Sequence, residues 1–474
     1  MASTNQKKLL NLKENTKGSI FELTPIALPI FISQAMDVFM IFSDRFFLSR
    51  LSIEDLAATL SGGILQYVFS TLVLGTMGQI TSLVGQYIGA KQNEKAIQTV
   101  YQGLILSFGL TPILILLSQL AAPSLFLFFG HEDALMNKEM EYYSILSFTI
   151  LTMSVRTALA SFFIGIGKTI IVTYASLCAV IFNLPITYIL VFGKFGMPAM
   201  GIKGAAIGTL IASLFPILIL SLKFYSNEIH SIYHTRIKPL FVKKLLNKLL
   251  RYGLPSGIEM MVNVSGFLFF TMIMYSYSAD VAAATTIVLN WDMVCFIPLL
   301  GIAQAVGGQV GKYLGEVDKI SALKSANSAL KLAWIYSLLI TIVYLSFNEF
   351  LVLLFSPESK YESFQIVQRY ASTMLRISCV YFFFDSTYNI LGGILRGAGD
   401  TVWVMVVSNI VMWTCAFSIY IFKLNYGISP LSAWWMLTAM VMSLGCLYSY
   451  RFLKKDWLNR LMIDLEPSPF PEID

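Results

Sequence analysis

The chain has 474 residues, of which 56% are hydrophobic and only 13% are charged, and its formal net charge at pH 7 is +6. Because soluble proteins carry about 25% charged residues, this composition excludes a soluble globular domain. Apolar runs of about 20 residues recur along nearly the whole chain, and this is the length that an α-helix needs to cross a membrane. The five cysteines lie inside apolar runs without metal-binding spacing, so they are expected to be buried side chains.

The hydrophobic runs predict an all-α polytopic membrane protein with twelve transmembrane helices, six in each half of the chain. Helices are favoured over a β-barrel because barrel strands alternate between apolar and polar residues over about 10 positions, whereas these runs are longer and do not alternate. In chain order, the predicted spans are 24–44, 60–82, 97–121, 141–163, 170–192, 204–223, 249–276, 283–308, 327–350, 368–393, 402–423 and 429–451.

Basic residues predict how the spans are oriented. They are concentrated in the N-terminal segment 1–23, in the linker 224–248 and in the tail 452–474. Since Lys and Arg are enriched in cytoplasmic loops, these segments are expected in the cytoplasm and the spans in the cytoplasmic (inner) membrane. The first span is too long for the core of a signal peptide, so it is expected to stay in the membrane. Contact with anionic membrane lipid accounts for the net charge, and no nucleic-acid partner is needed.

Two copies of one unit make up the chain. The phrase Val84-Gly85-Gln86-Tyr87-Ile88-Gly89 returns 226 residues later as Val310-Gly311-Lys312-Tyr313-Leu314-Gly315. With six spans in each copy, both copies start on the same side of the membrane, so the repeat is parallel. The pattern predicts two pseudo-symmetric six-helix bundles, an N-lobe at 24–223 and a C-lobe at 249–451. Such a repeat is typical of membrane transporters, which place their binding site between the two copies.

Acidic residues inside the spans indicate function, because a carboxylate at the centre of a membrane costs about 2.5–3.5 kcal/mol. Asp37 and Asp44 lie seven residues apart in the first span, where two helical turns bring them to one face. This face predicts either a proton or cation site, since burial disfavours a charged carboxylate, or a hydrogen-bond network that locks helices together. Pro29 is expected to interrupt the same span. Arg156 and Arg376 are expected to neutralise acids or to extend towards the headgroups.

Small polar side chains in later spans extend the candidate ion site. Asn183 and Thr187 lie four residues apart on one face of the fifth span, and Thr209 lies in the sixth. Together with Asp44 they offer oxygen atoms that suit a bare cation or that orient a protonated carboxyl. No metal other than sodium at Asp44 is predicted.

The second half of the chain carries its own acids. Asp385, Tyr388 and Asn389 share a face of the tenth span, while Glu259 lies in the seventh and Asp292 in the eighth. These residues are predicted to bind an organic cation, with neighbouring aromatic rings adding cation–π contacts.

Motifs of enzymes are missing from the sequence. There is no phosphate-binding loop of the Walker A type, so no ATP-driven pump is predicted, and the three histidines lie in predicted loops without a zinc-binding pattern. An intramembrane enzyme would need a paired catalytic set, whereas Asp37 and Asp44 are separated by about 10.5 Å along one helix. The chain is therefore predicted not to be an enzyme and to need no cofactor.

Several phrases make the chain resemble the multidrug and toxic compound extrusion (MATE) transporters over nearly its full length. The stretch from Leu28-Pro29 to Asp44 is similar to the first span of that family, and Asn183-Leu184-Pro185 is similar to its fifth span. The phrase Gln86-Tyr87-Ile88-Gly89-Ala90 also matches. The most specific match is Asp385 followed by Leu395-Arg396-Gly397-Ala398-Gly399-Asp400-Thr401.

This resemblance implies a monomer that exports small organic cations in exchange for protons or sodium ions. It implies that Asp44, with Asn183 and Thr209 as its polar neighbours, couples the ion in the N-lobe, and that Asp385 is the matching aspartate of the C-lobe. An additional acid at Asp37, where many members of the family carry glutamine, slightly favours protons.

The alternative is a lipid-linked saccharide flippase of the same wider superfamily. Such proteins often have an arginine-rich cavity that binds pyrophosphate, whereas the candidate residues here are mainly acids, which favours a cationic cargo. A purely structural membrane scaffold is disfavoured by the acids in both halves.

Overall fold

The computed structural model describes residues 17–128, 133–356 and 361–464. Of the predicted terminal segments, residues 1–16 and 465–474 lie outside this part. The long helices are α1 (Ile20–Leu48), α2 (Ile53–Gly78 and Ile80–Gly89), α3 (Asn93–Phe128), α4 (Asp133–Leu146 and Thr149–Gly165), α5 (Ile170–Phe192), α6 (Gly201–Ala212 and Leu214–Phe224), α7 (Lys243–Tyr275), α8 (Ala279–Gly315), α9 (Lys319–Leu353), α10 (Tyr361–Gly397), α11 (Thr401–Tyr426) and α12 (Pro430–Leu453). A short helix spans Asn227–Tyr233, and a 3-10 helix spans Asp456–Asn459.

The prediction of an all-α membrane protein is confirmed. Within the described residues, eleven of the long helices are apolar and long enough to cross a membrane. The remaining one, α10, is just as long but more polar, because it carries the charged side chains of the tenth predicted span. Several helices extend beyond the predicted spans, since hydropathy detects only the apolar part of a helix whose ends reach into water.

Helix α1 is continuous from Ile20 to Leu48, although Pro25 and Pro29 lie inside it. The expectation that Pro29 would interrupt the first span is therefore wrong. The hydroxyl of Thr173 in α5 donates a hydrogen bond of 2.6 Å to the carbonyl oxygen of Pro29. This bond fastens α1 to α5 at the proline, although the carbonyl that Pro29 leaves without its usual helical donor is that of Pro25, one turn earlier.

The twelve helices pack as two groups. In the first group, which we call the N-lobe (α1–α6), α5 packs against α1 and α6, and α2 packs against α4. In the second group, the C-lobe (α7–α12), α10 packs against α8, α9 and α12, and α7 packs against α11. Contacts between the lobes come from α2 with α7 and α8, and from α1 with α8.

The repeated phrase forms the centre of the contact between the lobes, because its two copies cross each other. A β-carbon on Gly85 would lie 2.7 Å from the carbonyl oxygen of Gly308, and one on Gly311 would lie 2.8 Å from that of Ser82. These two contacts exchange under the 226-residue offset of the repeat. The crossing is thus pseudo-symmetric, and the absence of side chains lets the two backbones touch, as in other membrane helix pairs with small residues.

Further contacts close the end of the bundle at which the described chain starts and finishes, which we call the terminal side. Residues 456–464, here called the C-terminal strap, reach the N-lobe there. The backbone N–H of Met462 donates to Oε1 of the fully buried Gln86 at 2.8 Å, and Nε2 of Gln86 donates to the carbonyl oxygen of Gly397 at 3.2 Å. Nε2 of Gln79 donates to the carbonyl oxygen of Arg396 at 2.7 Å.

The last described residue, Asp464, ties the strap to the first turns of α7. Its Oδ2 lies 2.7 Å from Nζ of Lys244 and 3.1 Å from Nζ of Lys248. Hydrogen bonds from Lys244 and then Lys248 lower the pKa of Asp464 to about 2. Because a lowered carboxyl pKa makes the charged form persist down to that value, this contact is retained at every physiological pH.

We expect Gly311→Ala to destabilise the protein by about 1–3 kcal/mol, because the added methyl group meets backbone atoms of Ser82 that have no side-chain freedom to move. Gly85→Ala is expected to behave alike, since its contact is the pseudo-symmetric copy. Thermal unfolding of the purified variants measures the effect. Gly109→Ala in α3 is the control, because no atom lies within 4 Å of its β-carbon position. Equal melting temperatures for Gly311→Ala and Gly109→Ala would contradict this account of the interface.

Candidate ion and substrate sites

Asp44 lies in the second half of α1 and is 4% exposed. The hydroxyl of Thr209 in α6 donates a short hydrogen bond to its Oδ2. Its other oxygen, Oδ1, is buried and has no hydrogen-bond partner in the described residues. One half of a buried carboxylate is therefore free to accept a proton or a cation.

Two fully buried residues of α5 complete this site. Asn183 and Thr187 lie next to the Asp44 carboxyl. Nδ2 of Asn183 donates to Oγ1 of Thr187 at 3.1 Å, and the hydroxyl of Ser43 donates to Oδ1 of Asn183 at 3.3 Å. The four residues predicted from the first, fifth and sixth spans thus lie together, with Asn183, Thr187 and Thr209 next to the Asp44 carboxyl.

Glycine on α6 explains how Thr209 reaches Asp44. A β-carbon on Gly208 would lie 2.9 Å from Cα of Thr187, and one on Gly204 would lie 2.6 Å from the carbonyl oxygen of Leu190. These two glycines, one turn apart, let α6 approach α5 to backbone contact. A bulkier residue at either position would move Thr209 away from the carboxylate.

Asp37 has a different environment, although it lies two turns from Asp44 on the same helix. Its Oδ1 and Oδ2 accept hydrogen bonds of 3.0 and 2.9 Å from the two terminal nitrogens of Arg156 in α4. The Arg156 guanidinium also donates to Oγ of Ser176 at 2.8 Å. The charge of Asp37 is therefore compensated by a bidentate ion pair. Asp44, in contrast, forms no ion pair with another described residue.

The C-lobe contains a second carboxylate group, between α8 and α10. Tyr381 donates its hydroxyl to Oδ2 of Asp292 at 2.6 Å, and Oδ1 of Asp292 is buried without a hydrogen-bond partner in the described residues. Asp385 lies close enough for its charge to act on Asp292, and it accepts a hydrogen bond of 3.1 Å from Asn389. Two acids thus lie near each other inside this lobe, and one of them has an oxygen without a hydrogen-bond partner among the described residues.

Glu259 belongs to a separate group, nearer the terminal side, and Tyr388 is close enough to both Glu259 and Asp385 for the charge of each to act on it. Both carboxylate oxygens of Glu259 lie 3.0 Å from Nη1 of Arg396, and Glu259 is 2% exposed. Tyr388 packs its ring against Tyr448, with the ring centres 4.8 Å apart. This group connects α7, α10 and α12, and its acid is already paired. The structure therefore divides the predicted substrate residues into two clusters.

Arg376, the second arginine that was expected to neutralise acids or to extend towards the headgroups, lies on the surface. Its Nη2 is 3.6 Å from Oε1 of Glu349, and both side chains are more than half exposed. Since exposed ion pairs contribute little to stability, Arg376 has a minor structural role.

Sequence reasoning missed three residues of these sites: Tyr381, Tyr344 and Arg396. Tyr344 lies beside Asp292, and its hydroxyl contacts the thiol of Cys295 at 3.3 Å. Arg396 stands in the glycine-bearing phrase that follows Asp385, but its pairing with Glu259 gives no signal in the sequence. The two tyrosines are equally inconspicuous in a chain with 23 of them.

Known proteins resemble the chain in both sequence and fold. The MatE family model matches residues 29–189 and 255–421, one match in each lobe. A relative described as a probable multidrug resistance protein NorM, from Thermotoga maritima, is 25% identical over 94% of both chains. The multidrug resistance protein NorM of Vibrio cholerae is 26% identical over 84% of this chain and 86% of its own.

Solved structures share the fold. A MATE structure in the bent conformation and an outward-facing structure of a MATE family multidrug resistance transporter each superpose with a TM-score of 0.81. Each covers 92% of this chain and 96% of its own, at 18% identity. The family model thus matches each lobe separately, and the relatives match nearly the whole chain. The chain is therefore an integral multi-pass membrane transporter, not an enzyme, and belongs to the MATE family.

Proposed function

We propose that the protein exports organic cations in exchange for protons or sodium ions, by alternating access between the N-lobe and the C-lobe. The observation that carries this proposal is that each lobe has a buried carboxylate oxygen, on Asp44 and on Asp292, that has no hydrogen-bond partner in the described part of the chain. Relatives named as multidrug resistance proteins support the choice of cargo.

In the N-lobe, Asp44 is the coupling group. A proton on Oδ1 removes the cost of a bare charge in the membrane. Alternatively, a sodium ion binds oxygens of Asp44, Thr209, Asn183 and Thr187, a set of the hard oxygen ligands that such cations prefer. Asp37 contributes through its ion pair with Arg156, which holds α1 against α4 beside the coupling group.

In the C-lobe, Asp292 and Asp385 attract the positive charge of the cargo, and Asn389 orients Asp385. Glu259 is less suited to this role, because its charge is already compensated by Arg396. We therefore assign cargo binding first to the two aspartates and assign the Glu259 group to holding α7 and α10 together.

The described arrangement keeps the lobes together on the terminal side, through the crossing of α2 with α8 and through the C-terminal strap. Opening to that side requires these contacts to part. An ion can drive the exchange only by binding one arrangement more tightly than the other. The Asp464 contact is insensitive to physiological pH. We assign the pH response of transport to the membrane acids. We place both termini in the cytoplasm, the helices in the cytoplasmic (inner) membrane, and expect a monomer.

A flippase for lipid-linked saccharides is less well supported. Its pyrophosphate cargo needs uncompensated arginines, but Arg156 and Arg396 are each bound to a carboxylate. An acidic pair such as Asp292 and Asp385 would repel a pyrophosphate and attract a cation.

The first experiment measures efflux of a fluorescent organic cation from cells while a proton gradient and then a sodium gradient is collapsed. Asp44→Asn should abolish efflux, because an amide cannot exchange a proton or neutralise sodium, while the protein stays folded and inserted. Asp280→Asn, at the start of α8, is the matched control and should retain wild-type efflux. Full efflux by Asp44→Asn would refute the assignment.

A second prediction separates cargo binding from structure in the C-lobe. Asp385→Asn and Asp292→Asn should each weaken binding of a cationic ligand about tenfold or more, and should change binding of a neutral ligand of similar shape much less. Fluorescence titration of the purified protein measures both affinities. Equal losses for the two ligands would indicate that the aspartates only support the fold.

The role of Asp37 is tested by a double-mutant cycle with Arg156. Asp37→Asn leaves the guanidinium without its partner and should lower stability by about 1–3 kcal/mol, less than for a fully buried pair because Asp37 is partly exposed. Adding Arg156→Gln should recover much of that loss, as thermal unfolding will show. If the double variant is stable but inactive, Asp37 also takes part in coupling. If the stability losses of the two single variants add up in the double variant, the two side chains do not stabilise each other.

Alternating access itself predicts a movement between the lobes. Spin labels on Ala57 in α2 and Ala282 in α8, at the ends opposite the terminal side, should change their separation with pH or sodium. Electron paramagnetic resonance distances measure it, and Asp44→Asn should abolish the response. A separation that stays fixed across pH, sodium and cargo in active protein would rule out this mechanism.

A further inference from the structure

A groove on the terminal side lies between the two lobes and is separate from both carboxylate sites. The open groove has a volume of about 810 Å³. It is lined by the start of α1, the first turns of α9 and the region of the 3-10 helix. Its charged lining residues are all lysines: Lys319, Lys324, Lys331 and Lys455. No carboxylate is found among the described residues that line it.

The walls of the groove are apolar, in contrast to its charges. Phe21 on α1 and Ile320 on α9 are 84% and 83% exposed, and Leu323 adds to the same wall. A water-soluble anion gains nothing from such side chains, and exposing them to water costs free energy. An occupant with both an anionic head and apolar chains can contact the lysines with its head and the wall with its chains.

The face of α9 that forms the groove continues into the membrane. Lys324, Lys331 and the exposed apolar side chain of Leu338 follow one another at heptad spacing, and the exposed side chain of Ile342 lies one helical turn beyond Leu338. Ammonium groups at the end of a membrane helix lie at the depth of the lipid headgroups, and apolar side chains beyond them lie at the depth of the acyl chains. The groove therefore has the polarity profile of a phospholipid.

The groove is also firmly built, because the start of α1 is bound to the C-lobe there. Gly18 has a positive φ of 67°, and a β-carbon at this position would lie 2.6 Å from the carbonyl oxygen of Ser321. The hydroxyl of Ser328 donates to the carbonyl oxygen of Gly18 at 2.7 Å. The hydroxyl of Tyr313 donates to Glu22 at 2.6 Å. The walls are thus held in place by contacts that do not involve the lysines.

We propose that this groove is a binding site for an anionic phospholipid, whose phosphodiester contacts the lysines and whose acyl chains lie along α1 and α9. Clusters of basic residues between helices on the cytoplasmic side bind lipids of this kind. Because one wall belongs to the N-lobe and the other to the C-lobe, bound lipid stabilises the arrangement in which the terminal side is closed. Only this last consequence rests on the proposed alternating access.

The test titrates the full-length protein in detergent with phosphatidylglycerol, with phosphatidylcholine of the same acyl chains, or with inorganic phosphate. Native mass spectrometry counts bound lipid, and thermal unfolding reports stabilisation. The wild type should bind phosphatidylglycerol in preference to phosphatidylcholine, and phosphate should not stabilise it. Equal binding of the two lipids, or equal stabilisation by phosphate, would overturn the proposal.

Two matched triple variants locate the site. Lys324→Gln, Lys331→Gln and Lys455→Gln together should weaken phosphatidylglycerol binding by about tenfold or more, since each lysine near a headgroup contributes severalfold. The corresponding arginine variant should retain binding. The control removes three exposed lysines from the same side but outside the groove, by Lys91→Gln, Lys238→Gln and Lys243→Gln. Equal losses in the groove variant and the control would show general surface charge and overturn the proposal.

Two further variants separate the remaining outcomes. Asp44→Asn should bind phosphatidylglycerol like the wild type, so that failure of transport and failure of the lipid site are distinguishable. If phosphatidylglycerol binds only after residues 1–16 are removed, the N-terminal segment is the occupant of the groove and the lipid assignment is wrong.

Discussion

The close crossing of α2 with α8 is the contact on which the arrangement of the two lobes depends. In a membrane, helices gain little from burying apolar side chains against each other, so association relies on tight packing and hydrogen bonds. Gly85 and Gly311 allow backbone contact at this crossing, and Gln79 and Gln86 add hydrogen bonds beside it. Each is close to residues of the opposite lobe, so a small rotation of one lobe breaks several contacts together. Such an interface suits two discrete arrangements better than a gradual one.

Charge inside the membrane is handled in two different ways. Asp37 and Glu259 are each bound to an arginine, which compensates their charge at the cost of mobility. Asp44 and Asp292 receive hydrogen bonds from neutral hydroxyl groups of Thr209 and Tyr381, and each has a second oxygen without a hydrogen-bond partner among the residues that the structure describes. Only the second kind of acid can take up and release a cation without first breaking an ion pair. The distribution of arginines therefore separates acids that hold helices together from acids that are suited to transport.

Much of this organisation was predictable from the sequence, and the limits follow from the range of each interaction. The spacing of Asn183 and Thr187, with the resemblance to the MATE family, predicted a group around Asp44, and the structure brings these residues next to its carboxyl. Their role in coupling stays a prediction. The shared face of Asp37 and Asp44 was a weaker guide, because Arg156, which is 119 residues away in the sequence, separates their environments. The residues predicted to bind the substrate do not all lie together either, because Glu259 is paired with Arg396, which is 137 residues away in the sequence.

By itself, the sequence determined the membrane location, the helical class, the two-copy build and the candidate acids. These features depend on hydropathy, on local periodicity and on repeated phrases, all of which are properties of the chain before it folds. Only the tertiary structure decided which acids are paired, that the two copies of the repeated phrase touch each other, and that the C-terminal strap and a lysine-lined groove lie at the seam. Those features depend on groups that are brought together from distant parts of the chain, and hydropathy carries no information about such partners.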